Sequence, residues 1–232
     1  MPSKREIEPI AVIHNDFQEK FGIPRQSGRV ESIPSRIIFE PKYRVAEALR
    51  EIEGFSHLWL IFDFSKAEGK DFSPTVRPPR LGGNRRVGVF ASRSPFRPNR
   101  LGLSLVRLLG VEDAGELGKT LLVGGADLLD GTPIYDIKPY LPFADSRPDA
   151  VFGYAEAEVS HHLSLGGGEE RLSLLSEAQK YAVLACLAED PRPSYQNDPG
   201  RIYSMRYGEF DIRFHVDGSL FFIDEVVTIA DK

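Results

Sequence analysis

Through the first two-thirds of the chain the apolar residues come in short runs broken by Gly and Pro, a β-rich pattern. Ile7–Ile13 is apolar and β-branched and runs into the turn-prone His14-Asn15-Asp16, which predicts a strand. Arg36–Phe39 predicts a second, stopped by Pro41. Val45, Ala48, Leu49 and Ile52 share one face at helical spacing, so Arg44–Glu53 reads as a helix with Gly54 as its stop. His57–Phe64, HLWLIFDF, is long and aromatic enough to predict a strand buried on both faces. Val87–Ala91, Leu103–Leu109, Thr120–Val123, Ala126–Leu129 and Ile134–Ile137 follow as further short strands. Many such strands predict a mainly β fold closed into a barrel, not a parallel α/β sheet.

The pattern changes after about Asp149, which divides the chain into an expected β-barrel domain, 1–150, and a small α+β domain, 151–232. Ser160–Arg171 contains Gly166-Gly167-Gly168 and reads as a flexible loop. Ser173–Glu189 reads as a helix capped by Ser173 or Ser176. Its apolar stripe is Leu174, Leu175, Ala178, Tyr181, Ala182, Ala185 and Cys186. Phe210, Ile212, Phe214 and Val216 alternate with polar residues, and Asp217-Gly218 predicts a two-residue hairpin turn into Ser219–Thr228.

Composition narrows the class. At 232 residues, with 41% hydrophobic and 27% charged positions, the chain is an ordinary globular one. No apolar run is long enough for a membrane span and no secretory leader is evident, so no membrane partner is expected. The single cysteine, Cys186, suits a reducing cytoplasm and reads as core. Charge is distributed unevenly. Phe72–Val111 holds eight arginines with no Lys, Asp or Glu, within a chain of net charge -5, so the remainder carries -13. Arginine grips phosphate or carboxylate at two points and stacks on bases, which suits a polyanion such as RNA. An exposed loop neutralised by carboxylates explains the charge equally well.

Several chemistries are excluded. Gly118-Lys119-Thr120 resembles the end of a phosphate loop, but Asp113 stands where the first glycine is required. No GxGxxG opens a helix after a strand. Gly54-Phe55-Ser56-His57-Leu58 lacks the closing glycine of a nucleophile elbow. The five histidines form no metal-ligand pattern, so no metal is expected.

Four segments together carry a resemblance: FGIPRQSG (Phe21–Gly28), FSHLWLIFDF (Phe55–Phe64), TVRPPRLGGNRRVGVFASRSPFRPNRLGLSLV (Thr75–Val106) and DLLDGTPIYDIKPYLPFADS (Asp127–Ser146). They resemble the TrmO family, and EDPRPSY (Glu189–Tyr195) resembles the start of its C-terminal region. The resemblance implies an S-adenosyl-L-methionine-dependent methyltransferase with a non-Rossmann β-barrel and a cofactor near a homodimer interface. Its implied substrate is the N6 nitrogen of N6-threonylcarbamoyladenosine beside the tRNA anticodon. Carried onto this chain, the implied cofactor contacts are Pro24, Arg25, Gln26, Arg93, Leu103, Asp130, Gly131, Thr132 and Pro133. Ser65 and Lys66 join them as backbone contacts, where the family commonly has His-Gln. Arg100 stands where proline is common.

These positions make chemical sense. Arg25 or Arg93 can clamp the methionyl carboxylate. Asp130 can accept bonds from ribose hydroxyls or the adenine amine, although Asp before Gly also caps its own turn. Leu103 offers an apolar wall and is equally suited to the barrel core. The acceptor nitrogen is a poor nucleophile until its proton is lost or shared, so a nearby base would help, with catalysis by positioning alone as the alternative. Asp136 is the first candidate, set against an alternative role in a salt bridge to Lys138. Tyr140 is the second, since an ordinary tyrosine has a pKa of about 10. In the arginine-rich loop, Arg97 and Arg100 suit phosphates of the anticodon loop or the threonyl carboxylate of the substrate, Phe96 suits base stacking, and Asn99 suits a base edge or holds the loop. Arg77, Arg80, Arg85 and Arg86 shape the entrance or meet the tRNA. Two further readings stand beside the methyltransferase: an RNA-binding module without catalysis, and an enzyme for a small anionic metabolite.

Overall fold

A computed structural model describes residues 5–67, 72–78, 85–154, 161–193, 196 and 198–229. In chain order its strands are β1 (Ala11–His14), β2 (Pro34–Phe39), β3 (His57–Asp63), β4 (Thr75–Val76), β5 (Val87–Gly88) and β6 (Leu101–Asp113), then β7 (Lys119–Gly124), β8 (Thr132–Pro139), β9 (Ser164–Gly167), β10 (Tyr203–Tyr207), β11 (Phe210–Asp217) and β12 (Leu220–Thr228). The helices are α1 (Pro142–Asp145) and α2 (Glu177–Ala188). Two compact units result. One comprises Met1–Asn15, Gln26–Ser73 and Arg93–Leu141; the other comprises Asp16–Arg25, Pro74–Ser92 and Pro142–Lys232.

The first unit is a closed barrel with strand order β1-β2-β7-β6-β3-β8. Every neighbouring pair is antiparallel, including β8 back to β1, so no edge is left open. Period-two alternation fills the interior with Ile13, Ile37, Leu58, Leu60, Val106, Leu121, Val123 and Ile134, all fully buried. β3 alternates too: Leu58, Leu60 and Phe62 point inward while His57, Trp59, Ile61 and Asp63 are half-exposed. The expected burial on both faces is therefore corrected to one face.

Two other expectations fail in this unit. Arg44–Glu53 forms 3₁₀ turns at Ala46–Leu49 and Ile52–Gly54 instead of a helix. Glu51 lies between them at φ 67, in the left-handed region, which no continuous helix tolerates. Leu49 and Ile52 still pack on the barrel core, so the apolar spacing marked burial and not helix. Ala126–Leu129 keeps strand-like alternation, with Ala126 and Leu128 in the core, yet pairs with no strand among the described residues. Gly124 and Gly125 explain this. A Cβ on Gly124 would sit 2.2 Å from the Glu31 carbonyl oxygen, and Gly125 has φ +78. The segment 28–31 lies so close that only glycine fits, and the chain turns out of the β7 register there.

The second unit carries a four-stranded sheet, β10-β11-β12-β9, with β9 parallel to β12. β11 and β12 form the expected hairpin, but Asp217 pairs with Leu220, so the turn is Gly218-Ser219 and lies one residue later. α2 starts at Glu177 and is capped by Ser176, which forms a full capping box with Gln179. Leu174 and Leu175 precede the helix, in and just after the 3₁₀ stretch Glu169–Leu174, and Ala178 and Tyr181 are exposed; all four drop out of the expected helical stripe, although Leu175 is buried. The expected loop around Gly166 is strand β9, where a Cβ on Gly166 would meet the Phe222 ring at 2.4 Å. Ser160 of that expected loop lies outside the described residues. Phe17 packs edge-on against Tyr207 at 5.5 Å, and Phe21 lies 6.2 Å from both Tyr203 and Phe214. Burial pushes the Cys186 thiol up to about 12, aided by the charge of Glu189, so this core cysteine is no nucleophile.

Candidate functional site

The antiparallel order brings one set of strand ends together: the ends of β1, β7 and β3 and the starts of β2, β6 and β8. The connections at that end are 15–33, 64–100 and 125–131. Within the barrel unit they contain Gln26, Ser65, Lys66, Arg93, Asp130 and Gly131, while Leu103, Thr132 and Pro133 lie just inside β6 and β8. The opposite end has the β2–β3 connection, the short β6–β7 turn and the exit from β8 at Tyr140.

At the first end Arg93 is exposed and its guanidinium donates to Gln26 Oε1 at 2.5 Å. Ser27 is anchored beside Gln26: its Oγ accepts from Leu105 N–H at 3.1 Å, and Gly28 N–H donates to Gly125 O at 2.9 Å. Ser65 and Lys66 sit in a 3₁₀ turn, Ser65–Ala67, directly after β3. Phe64 N–H donates to Arg100 O, so this turn adjoins the start of β6. Leu103 is 55% exposed and faces outward opposite Ile61, which removes the reading of it as barrel core. Asp130 Oδ1 accepts from Asn15 N–H and meets His14 Nδ1, each at 3.1 Å. Its turn is closed by Thr132, whose hydroxyl donates to Leu129 O, and by Gly131 N–H bonded to Ile13 O. The aspartate thus ties the turn to β1 and does more than hold its own backbone.

Pro24 and Arg25 belong to the second unit. Arg25 Nη2 lies 3.3 Å from Asp190 O and 3.2 Å from Pro191 O, and also contacts Arg192 O. The guanidinium therefore braces the EDPRP turn, whose Asp190 and Arg192 form a two-point pair at 2.8 and 3.0 Å. Burial alone would raise the Asp190 carboxyl, but Arg192 and His161 outweigh it and hold the group below the ordinary range. Ser194 and Tyr195, which complete EDPRPSY, lie outside the described residues.

Asp136 sits on the outer face in one row with Ile61 and Leu103. Its Oδ2 meets Lys138 Nζ at 2.9 Å and its Oδ1 accepts from Ile137 N–H, so the salt bridge weighed against a catalytic role is present. Tyr140 is at the opposite end, 6.0 Å from the Trp59 ring, with its N–H on His57 O. In the arginine-rich loop, Phe96 N–H donates to Ser94 Oγ, and Arg97 N–H to Pro95 O. Asn99 is exposed, and Arg100 Nε lies 3.8 Å from Asp63 Oδ1. Arg77, Arg85 and Arg86 are described, while Arg80 lies outside the described residues. Among the described residues, no group of three or more His, Cys, Asp or Glu is placed to hold a metal ion, and no helix is long and apolar enough to cross a membrane.

One site residue escaped sequence reasoning. Asp127 accepts from Ser104 Oγ at 2.5 Å, and the main-chain N–H groups of Ser27 and Asp127 itself also bond its carboxylate. Burial pushes this carboxyl above the ordinary range, against those bonds and the nearby Arg93 charge. A polar residue between the core positions Ala126 and Leu128 was its only signal.

The model of the tRNA-methyltransferase O N-terminal domain matches residues 12–146, and that of the TrmO C-terminal domain matches 170–229. The tRNA (adenine(37)-N6)-methyltransferase of Escherichia coli K12 is 42% identical over 222 residues, covering 92% of this chain and 94% of that protein. A putative S-adenosylmethionine-dependent methyltransferase of Pseudomonas aeruginosa is 42% identical over 216 residues, covering 90% and 91%. A crystal structure of TrmO from Pseudomonas aeruginosa superposes with a TM-score of 0.78 at 34% identity, covering 97% of this chain and 100% of that one. With both family domains matched in order along it, the chain belongs to the TrmO family.

Proposed function

We propose that this chain is an S-adenosyl-L-methionine-dependent methyltransferase that modifies N6 of adenosine 37 in tRNA, on the threonylcarbamoylated base. The observation that carries the reading is the gathering of Gln26, Ser65, Lys66, Arg93 and Asp130–Pro133 at one barrel end, in a chain of this family.

The donor set fits the methyl donor. Arg93, steadied by Gln26, offers an exposed cation for a carboxylate. Asp130 offers an acceptor for hydroxyls, and Leu103 an exposed apolar surface for a purine. The donor, when bound, supplies a methyl group activated on a sulfonium. The chain's own part is alignment and exclusion of water, which suits an in-line displacement.

The acceptor nitrogen must give up its proton. Asp136, in the row of Leu103, is the group we assign to that step; Tyr140, at the other barrel end, is not. Asp136→Asn is then expected to lower kcat by about 10² to 10⁴ and leave donor affinity intact in a calorimetric titration. Unchanged turnover removes Asp136 from the mechanism. Arg97, Phe96, Asn99 and Arg100 form the RNA-facing loop, with Arg100 the weaker contact because Asp63 shares its charge.

Two copies associate, in this reading, through the outer face of β6 and β3. Leu101, Leu103 and Leu109 are exposed there beside the half-exposed Trp59, Ile61 and Leu105, an apolar strip of a kind monomers seldom display. We assign its work to the cytoplasm, a reading supported by the tRNA substrate alone.

The test is incubation with S-adenosylmethionine and tRNA carrying threonylcarbamoyladenosine, followed by mass spectrometry of the nucleosides. A nucleoside 14 Da heavier is expected, the mass of one added methylene. No product, together with no donor binding, overturns the reading; tRNA binding alone in that case establishes the non-catalytic RNA-binding module.

A further inference from the structure

We infer that Asp127 is a positioning residue for the methyl-donor site, acting through the Ser27 main chain and the Arg93 guanidinium. The inference rests on the assignment of Arg93 to that site. Its basis is a chain of contacts within the barrel unit. Ser104 is an inward-facing residue of β6, 2% exposed, and its hydroxyl donates to Asp127 Oδ1 at 2.5 Å. The same carboxylate takes the Ser27 N–H and lies within electrostatic reach of Arg93. Ser27 is fixed a second time by Leu105 N–H on its Oγ, and Gly28 by Gly125 O. Gln26, next in the chain to Ser27, holds Arg93 at 2.5 Å.

This geometry makes a relay of position. β6 and the end of β7 are rigid barrel wall, and Gly124 and Gly125 let the 28–31 segment lie against it. Asp127 stands where that wall meets the segment. It converts a fixed strand into a fixed Gln26–Gly28 backbone, and its negative charge biases the guanidinium of Arg93 toward one orientation. A group that has to recognise a carboxylate in two-point fashion gains from such preorganisation, because less freedom is lost on binding. Asp127 touches neither donor nor acceptor in this account. A carboxylate left half-buried against its own preference for water, among donors that all belong to the site's frame, is the arrangement expected of such a support.

The test is a thermodynamic cycle on donor affinity, measured by calorimetry with S-adenosylmethionine, using Asp127→Asn, Arg93→Ala and the double variant. Asn keeps the shape and one acceptor but removes the charge. Asp127→Asn alone is expected to raise Kd about tenfold, with KM for the donor following Kd and kcat within about twofold of the parent. In the Arg93→Ala background the same change is expected to have a much smaller effect, because the group it positions is gone. Ser104→Ala, which leaves the charge but frees the carboxylate, is expected to give an intermediate loss, and Ser104→Thr to restore most of it. If Arg93→Ala itself leaves Kd unchanged, the assignment of Arg93 fails. If Arg93→Ala weakens binding while Asp127→Asn leaves Kd unchanged, or adds its full effect to the double variant, the positioning role is overturned. Circular dichroism of each variant separates either outcome from a failure to fold.

Discussion

At one end of the barrel the connections are long and carry Gln26, Arg93, Asp127 and Asp130, with polar side chains bonded across loops. At the other end, the β2–β3 connection folds into 3₁₀ turns whose Leu49, Ile52 and Phe55 pack on the barrel core. Both ends close the same set of strands with a mixture of the two, since the first also packs Ala126 and Leu128 into the core and the second also holds Arg44 on the Phe39 and Glu116 carbonyls; the contrast is one of emphasis. Apolar closure stabilises the fold without specifying any ligand. Polar closure leaves carboxylates and guanidinium groups near the surface, where they can meet one.

The largest effect separating the two ends is expected from Arg93→Ala, a loss of about a hundredfold in donor affinity with an unchanged thermal midpoint. A fall in midpoint without a change in affinity would make the polar end merely structural. Arg25→Ala sharpens the contrast from outside the barrel. It is expected to lower stability in urea by about 2 kcal/mol, because the EDPRP carbonyls lose their donor. Ile52→Ala at the apolar end is expected to lose about 1–2 kcal/mol in urea, since the side chain is only partly buried. Its donor affinity should equal the parent's; a shift there would mean that the two ends communicate.

The smallest effect is expected from Asp127→Asn on stability. Burial holds the Asp127 carboxyl above the ordinary range, so the folded chain takes up this proton at higher pH than the unfolded chain does. The ionised group therefore opposes folding at neutral pH, and that opposition fades as pH falls through the raised value toward the ordinary one. The Asn variant should be slightly more stable than the parent near pH 7 and lose that advantage on acidification, read from thermal midpoints across pH. A variant less stable at pH 7 would show that the carboxylate's hydrogen bonds outweigh its burial.

The barrel itself was legible because its strands are short apolar runs broken by Gly and Pro, a pattern that lies within the sequence of each. The one-faced burial of β3 was not, because Trp59 and Ile61 on its outer face are as apolar as Leu58 and Leu60 within. Of the motifs that stand in connections, PRQ and DGTP, the structure sets Gln26 and Asp130–Pro133 at one barrel end, whereas Arg25 bonds the Asp190 and Pro191 carbonyls in the other unit. Glu51 was not, because a left-handed residue is imposed by its neighbours in space. Nor was the β9 strand, where glycines that look flexible in sequence make room for the Phe222 ring. Asp127 was hidden for a related reason: its partners Ser27 and Ser104 are far away in sequence, and Asp130, three residues on, carries the more familiar turn.

The interleaving of the two units has a consequence for synthesis. Phe17 and Phe21 belong with Tyr203, Tyr207 and Phe214, about 190 residues further along the chain. A ribosome releases these early aromatics long before their partners exist, at about 5–20 residues per second. For roughly 10–40 seconds the emerging chain carries an unsatisfied sticky segment while the strands of the barrel are still being completed. The nascent protein is therefore most open to capture or misassembly in that interval, and a fragment ending before Tyr203 never leaves it.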